Sequence, residues 1–127
     1  MIKERIFTGR SVSARISITG DIDRCTAHQV QQAVIQALRQ QRPATIVVDL
    51  GGVAFLDSAG IRALVLSHAD AAQVDCRLRL VNACPLVHQV LDIAGLLGRF
   101  GMPPTAGGGA APAAGGSHLH RVDLGRC

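Results

Sequence analysis

The chain has 127 residues, of which 48% are hydrophobic and 17% are charged. This length supports a single hydrophobic core, and this composition is typical of a globular domain rather than a disordered chain. The sequence contains three Phe and no Trp or Tyr, so the core is expected to be aliphatic. The formal charge of +4 comes from scattered arginines, without the basic stripe or the aromatic platforms of nucleic-acid-binding proteins. We therefore expect no direct binding of nucleic acid.

The sequence also argues against a membrane span and a secretory leader. No stretch approaches the ~18 uncharged apolar residues that a bilayer span needs. The N-terminal segment MIKERIFTGR is charged where a signal peptide is apolar. We therefore expect a cytoplasmic protein, without membrane contact, that is a monomer or a weak dimer.

The four cysteines show neither C-x-x-C pairing nor zinc-like spacing with the histidines. We therefore expect no metal and no cofactor. If the chain between Cys76 and Cys84 is extended, the two lie about 26 Å apart, too far for a disulfide. A thiol switch at Cys25 or Cys84 stays open, if the C-terminal tail brings Cys127 near.

The N-terminal half predicts a half-buried strand followed by an amphipathic helix. In SVSARISITGDID, apolar and polar residues alternate, which is the period of a strand with one buried face. From Thr26, a candidate N-cap, apolar residues recur at helical spacing. They are Ala27, Val30, Val34, Ala37 and Leu38. Pro43 is expected to stop this helix.

The middle of the chain predicts two further strands and two further helices. The β-branched run ATIVVDL indicates a central strand buried on both faces. A helix is predicted from about Ser58 to Ala72, and its apolar stripe consists of Ile61, Leu64, Val65 and Ala69. The run CRLRLV predicts another strand. A short helix from Pro85 to about Ile93 follows, with Leu86, Val90 and Ile93 on one stripe.

This alternation of strands and helices predicts an α/β fold, with a mixed, mainly parallel β-sheet and helices packed on it. Residues 1–105 are expected to form a single domain. Residues 106–127 are expected to be a Gly/Ala/Pro-rich linker and a flexible C-terminal tail.

The segment VDLGGVAFLDSAGIRAL is the most informative stretch, because a buried strand leads through a polar turn into an apolar helix. Ordinary capping explains part of it: Asp57 or Ser58 caps the helix, and Gly60 permits close packing. The same position also exposes a hydroxyl beside the unpaired N–H groups of a helix start. Ser58 is therefore a candidate regulatory site, and both interpretations can hold together.

The chain resembles the STAS domains, in particular the bacterial anti-sigma factor antagonists. The resemblance covers about residues 8–105 and centres on the DSAG motif at residues 57–60. The matching residues are Gly20, Asp23, Asp49, Leu50, Val53, Phe55, Asp57, Ser58, Gly60, Ile61, Leu64, Val81, Asn82 and residues 91–96. It implies a single STAS-like domain. The family's final amphipathic helix is replaced here by AGGGAAPAAGG, which leaves a sheet edge that the tail or a second molecule would cover.

The resemblance also implies a function. In this family the serine at the Ser58 position is phosphorylated by an anti-sigma factor with serine kinase activity. The unphosphorylated form binds that partner and frees the sigma factor, and a phosphatase is a further implied partner. The expected partner-binding residues are Asp23, Arg24, Asp57, Gly60, Ile61 and Arg62.

Simpler roles exist for three of these residues. Asp23 is equally well explained as a turn residue, and Arg24 and Arg62 as solvated surface charges. Arg62 lies one helical turn after Ser58, where it would reach a phosphate or a partner.

The sequence raises two other possible functions. An enzyme with Ser58 as nucleophile is disfavoured, because L-D-S-A-G lacks the flanking glycine of the G-x-S-x-G elbow and Asp57 would oppose an oxyanion. No P-loop is present in the sequence, so we expect no enzymatic activity. The alternative that stays open is a STAS scaffold or small-ligand-sensing module that works without phosphorylation.

Overall fold

The structure, a computed structural model, describes residues 13–102 and 118–124. Its strands and helices alternate along the chain, as the sequence predicts. The strands are β1 (Ser13–Thr19), β2 (Thr45–Gly52), β3 (Arg77–Val81) and β4 (His118–Asp123). The helices are α1 (Ala27–Gln41), α2 (Ser58–Gln73) and α3 (Pro85–Ile93). Within the described ranges, no helix has the length and apolar content to cross a bilayer.

The four described strands form one sheet in the order β3-β2-β1-β4, and every pairing among them is parallel. Ser13 lies opposite Thr45, and Thr45 lies opposite Arg77, so the first three strands begin at one level. Their carboxyl ends therefore meet at one edge of the sheet, where the loops after β1 and β2 lead into α1 and α2. The α/β class predicted from the sequence is confirmed.

The core lies between the sheet and the helices. Alternate strand residues such as Ile16, Val48 and Leu80 are buried, and they form one cluster with apolar residues of all three helices. The opposite face of β2 carries half-buried Thr45, Val47 and Asp49. The prediction that β2 is central is thus confirmed, but the prediction that both of its faces are buried is wrong. β-Branched residues suit either face of a sheet, so their run conceals the alternation.

The apolar stripes of two helices are rotated from their predicted positions. In α2 the buried residues are Gly60, Ala63, Leu64, Ser67 and Ala71, and the predicted Ala69 is exposed. In α3 the side chains of Leu86 and Ile93 are 52% and 79% exposed, and Val87, His88 and Leu91 are buried instead. Both helices are rich in apolar residues, so spacing alone does not identify their buried face.

On the face of the sheet opposite the helices, an ion pair joins β1 to β2. The Arg15 guanidinium donates to the Asp49 carboxylate at 2.7 Å, and the Gly51 N–H donates to the same carboxylate at 2.8 Å. Partial burial opposes ionisation of Asp49, but the donors Gly51, Arg15 and Asn82 outweigh it and hold the pKa of this carboxyl below its usual value.

Replacing Asp49 with Asn is expected to lower the free energy of unfolding by about 1–2 kcal/mol at neutral pH. Because folding lowers the Asp49 pKa, the contribution is complete above about pH 5 and disappears as the pH falls through the folded-state pKa. Urea unfolding of both proteins between neutral and acidic pH measures this. Asp92→Asn, at an exposed position of α3, is the control. A pH-independent difference between wild type and Asp49→Asn would contradict the assignment.

The C-terminal tail supplies the fourth strand. β4 pairs with β1 from Ala14↔His118 to Thr19↔Asp123, and Val122 and Leu124 pack against the core cluster. Part of the segment expected to be flexible is thus integrated into the sheet, and the tail covers the β1 edge. The predicted domain boundary at 105 and the replaced final helix fall outside the described residues.

Candidate functional site

The candidate site is built where the loops after β1 and β2 are joined by backbone hydrogen bonds. The Ile22 N–H donates to the Phe55 carbonyl at 3.0 Å, and the Asp57 N–H donates to the Ile22 carbonyl at 3.2 Å. Ile22 and Leu56 form the resulting parallel bridge, and both side chains are buried. The residues that follow this bridge, Asp23 in one loop and Asp57 in the other, therefore leave it at the same edge of the sheet, and Ser58 follows Asp57.

Ser58 is the first residue of α2, and it is exposed. Asp57 is the N-cap in extended conformation, and its Oδ1 accepts from the Gly60 N–H at 2.9 Å. Capping uses the Asp57 side chain, which is a favoured residue at this position. Because Asp57 provides the cap, the Ser58 hydroxyl is not needed for it. The capping and the regulatory interpretations thus apply to different residues of the DSAG motif.

Gly60 permits the close contact between α2 and the first loop. A Cβ at this position would lie 2.6 Å from the Ile22 carbonyl oxygen and 2.6 Å from Leu56 Cδ1. Contacts this short do not occur for real Cβ atoms, so any larger residue would push α2 away from Ile22. Gly60 is buried, and its effect on a partner is therefore indirect.

Substituting Ala for Gly60 is expected to lower the free energy of unfolding by about 1–3 kcal/mol, because the added methyl group collides with the Ile22 backbone. Chemical denaturation measures the effect. Gly98→Ala serves as the matched control, since a Cβ there meets nothing within 4 Å. Equal stability of the Gly60→Ala variant and the control would show that the close packing at Ile22 is unimportant.

Asp23 has a clear structural role at the start of α1. Its Oδ1 accepts from the Cys25 N–H at 2.9 Å and from the Thr26 N–H at 3.2 Å. Thr26 occupies the predicted N-cap position, but its side chain makes no capping bond to the helix. Its hydroxyl instead donates to the Asp21 carbonyl at 2.7 Å. These bonds support the interpretation of Asp23 as a turn residue. Asp23 also follows Ile22, which is paired with the loop that leads to Ser58.

The remaining predicted residues differ in what they present to the surface. Arg24 and Arg62 are exposed, whereas Ile61 is half-buried and packs against the core. Phe55, which was not predicted as a binding residue, is 45% exposed beside the joined loops. An exposed aromatic residue next to a polar turn is a common feature of protein interfaces. The sequence gives no signal for this exposure, because an apolar residue near the end of a strand is usually assigned to the core.

The comparison with known families identifies the protein's class. Residues 7–102 match the family model described as "Mlab, STAS domain". This match spans most of the chain, and the protein belongs to the STAS domain family. The resemblance noted from the DSAG motif is confirmed.

Two curated relatives bear the name "Anti-sigma F factor antagonist". The protein from Paenibacillus polymyxa is 25% identical over 81 residues, which cover 64% of this chain and 69% of the relative. The protein from Lysinibacillus sphaericus is 27% identical with the same coverage. Among solved structures, the anti-sigma factor antagonist SpoIIAA in its unphosphorylated form has a TM-score of 0.59 at 24% identity, covering 68% of this chain and 76% of that chain. The structural likeness shows the shared fold.

Proposed function

We propose that this protein is an anti-sigma factor antagonist. Its unphosphorylated form binds an anti-sigma factor that is also a serine kinase, and thereby releases a sigma factor. Phosphorylation of Ser58 ends this binding, and a phosphatase restores it. The observation that carries the proposal is the exposed Ser58 at the start of α2, in a chain whose relatives are named as antagonists of this kind. The protein acts by binding and not by catalysis.

A phosphate on Ser58 is compatible with the fold. The free N–H groups and the dipole at the start of α2 favour negative charge. The Ser58 side chain also stands outside the core, so a larger group displaces no packed residue. We therefore expect the phosphorylated domain to keep its backbone structure.

The same phosphate changes the surface strongly. It adds a charge of about −1.5 to −2 directly beside Asp57 and across the loop bridge from Asp23. A partner that packs tightly on this surface would have to accommodate the new group and its charge. Unfavourable charge contacts in an interface cost several kcal/mol, and each 1.4 kcal/mol is a factor of ten in affinity.

The proposed docking surface consists of the exposed residues around Ser58. Phe55 offers apolar area, and Arg24 and Arg62 offer positive charge. Aromatic residues and arginines are enriched at interfaces. Asp57 and Gly60 support this surface through the cap and the close packing at Ile22, and Asp23 supports it through the turn that leads into α1.

Incubation with ATP and the cognate anti-sigma kinase is expected to add one phosphate to the wild-type protein and none to Ser58→Ala, because Ser58 is the acceptor. Intact-mass measurement followed by peptide sequencing reads this out. If the kinase binds the wild-type protein but Ser58 stays unmodified, the scaffold alternative is correct. Modification of another serine would likewise refute the assignment.

Variants at Ser58 test the effect on binding. Ser58→Ala is expected to bind the partner within about threefold of wild type, and Ser58→Asp at least about tenfold more weakly, because charge is added on the docking surface. Gln73→Glu is the matched control, since it adds one negative charge at the other end of α2, about 22 Å away. Titration calorimetry at fixed nucleotide concentration gives the affinities. Equal weakening by Ser58→Asp and Gln73→Glu would indicate a general charge effect and contradict the proposal.

A further inference from the structure

Arg62 is an exposed cation of α2 that lacks a counter-charge on its own helix. On an α-helix, side chains three and four positions apart are neighbours. At the four positions that neighbour Arg62 in this way, the side chains are uncharged: Ser58, Ala59, Val65 and Leu66. Among residues 13–102 and 118–124, the ion pair of the structure joins Arg15 to Asp49. Arg62 therefore has no carboxylate partner in these ranges.

Ser58 and Arg62 share the solvent-facing side of α2. Ser58 is the first residue of the helix, so the helical spacing that relates positions i and i+4 begins with it. Both residues are exposed, as is Leu66 one turn further on, whereas the residues packed on the core lie on the other side of the helix. The Cβ atoms of such a pair are about 5–6 Å apart, a distance that an extended arginine side chain covers.

The acidic residues of this region do not occupy Arg62. Asp57 precedes Ser58, and its Oδ1 accepts from the Gly60 N–H at 2.9 Å, so this carboxylate caps the helix. The acidic residue of α2 itself, Asp70, lies eight positions after Arg62, which is more than two helical turns away. The group closest to Arg62 along the helix that can become an anion is thus the Ser58 hydroxyl.

We propose that the phosphate of phosphorylated Ser58 pairs with the guanidinium of Arg62 within α2. The inference rests on the proposed function for the modification itself. A phosphoserine carries a charge of about −1.5 to −2, and a guanidinium donates two parallel hydrogen bonds to phosphate oxygens. An anion four positions before a cation is also the more favourable order of charges on a helix.

This pair changes a second residue of the proposed docking surface. In the unphosphorylated protein, Arg62 is available to the partner. After phosphorylation, the same guanidinium is held by the phosphate and is withdrawn from the partner. Phosphorylation therefore adds a negative charge and removes a positive contact in one step, without a change in the backbone of α2.

Phosphorus NMR of the full chain, with phosphoserine installed at position 58 during translation, tests the pair. The second pKa of the phosphate is expected to be lower in the wild-type background than in Arg62→Gln by at least about 0.3, because the guanidinium stabilises the dianion. Arg62→Lys keeps the charge and is expected to retain part of this difference. Arg39→Gln removes the same charge in the last turn of α1, and as the matched control it keeps the wild-type pKa.

The neighbouring loop does not disturb this comparison. The loop bridged to the Ser58 turn, with the start of α1, carries three more charged residues and one histidine: Asp21, Asp23, Arg24 and His28. All four are unchanged in every variant, so they contribute equally to each titration. Equal phosphate pKa values in the wild-type and Arg62→Gln proteins, or equal changes in Arg62→Gln and Arg39→Gln, would overturn the proposal.

Calorimetry with the anti-sigma partner tests the withdrawal of Arg62. Arg62→Gln is expected to weaken binding at least about threefold in the unphosphorylated protein and less than about 1.5-fold in the phosphoserine protein, because the guanidinium is already held there. Equal weakening in both forms would show that Arg62 stays available to the partner. Because the phosphoserine is installed during translation, the NMR result does not depend on whether the kinase modifies Ser58, so failure of the proposed function and failure of this pair are distinguished.

Discussion

The backbone of Ile22 holds the proposed docking surface together. Its N–H and carbonyl groups bind the loop after β2 at Phe55 and Asp57, and its carbonyl also sets how closely α2 approaches through Gly60. Two βα loops thereby become one unit. The direction of the helix start, the cap by Asp57 and the exposure of Ser58 all depend on this bridge, which is protected by the buried Ile22 and Leu56 side chains.

This arrangement separates the group that changes from the groups that maintain the fold. Asp57 caps the start of α2, Gly60 permits the close packing at Ile22, and Asp23 stabilises the turn that leads into α1. Ser58 lies among them without being required by any of these interactions. A serine in this position can gain charge while its supporting residues keep their contacts, so the switch we propose acts on the docking surface and needs no refolding.

Much of the fold is predictable from the sequence because the sequence contains strong signals for where helices begin and end. Pro43, the DSAG motif and Pro85 mark element boundaries that agree with the structure within one or two residues. The DSAG motif also predicts the start of α2 at Ser58. Thr26 is the N-cap residue of α1, as predicted, but its side chain makes no capping bond; the Asp23 carboxylate, three residues earlier, accepts the N–H groups of the turn before the helix. Local propensity alone does not distinguish two neighbouring acceptors.

Other features depend on tertiary contacts that the residue pattern does not contain. The buried face of α3 is chosen by what packs against it, so Leu86 and Ile93 are exposed although they share an apolar stripe. Strand β4 follows a Gly/Ala/Pro-rich segment, and its pairing with β1 depends on a free sheet edge. Exposed Phe55 was missed because apolar residues at strand ends are usually assigned to the core.

Hydrogen exchange at the Ile22 and Asp57 amides, compared between the unphosphorylated protein and the protein phosphorylated at Ser58, tests the central claim most directly. We expect the two amides to keep their protection within about threefold on phosphorylation, because the loop bridge persists while the docking surface changes. Loss of protection at both amides would show that phosphate opens the joined loops, and that the switch works by local unfolding instead.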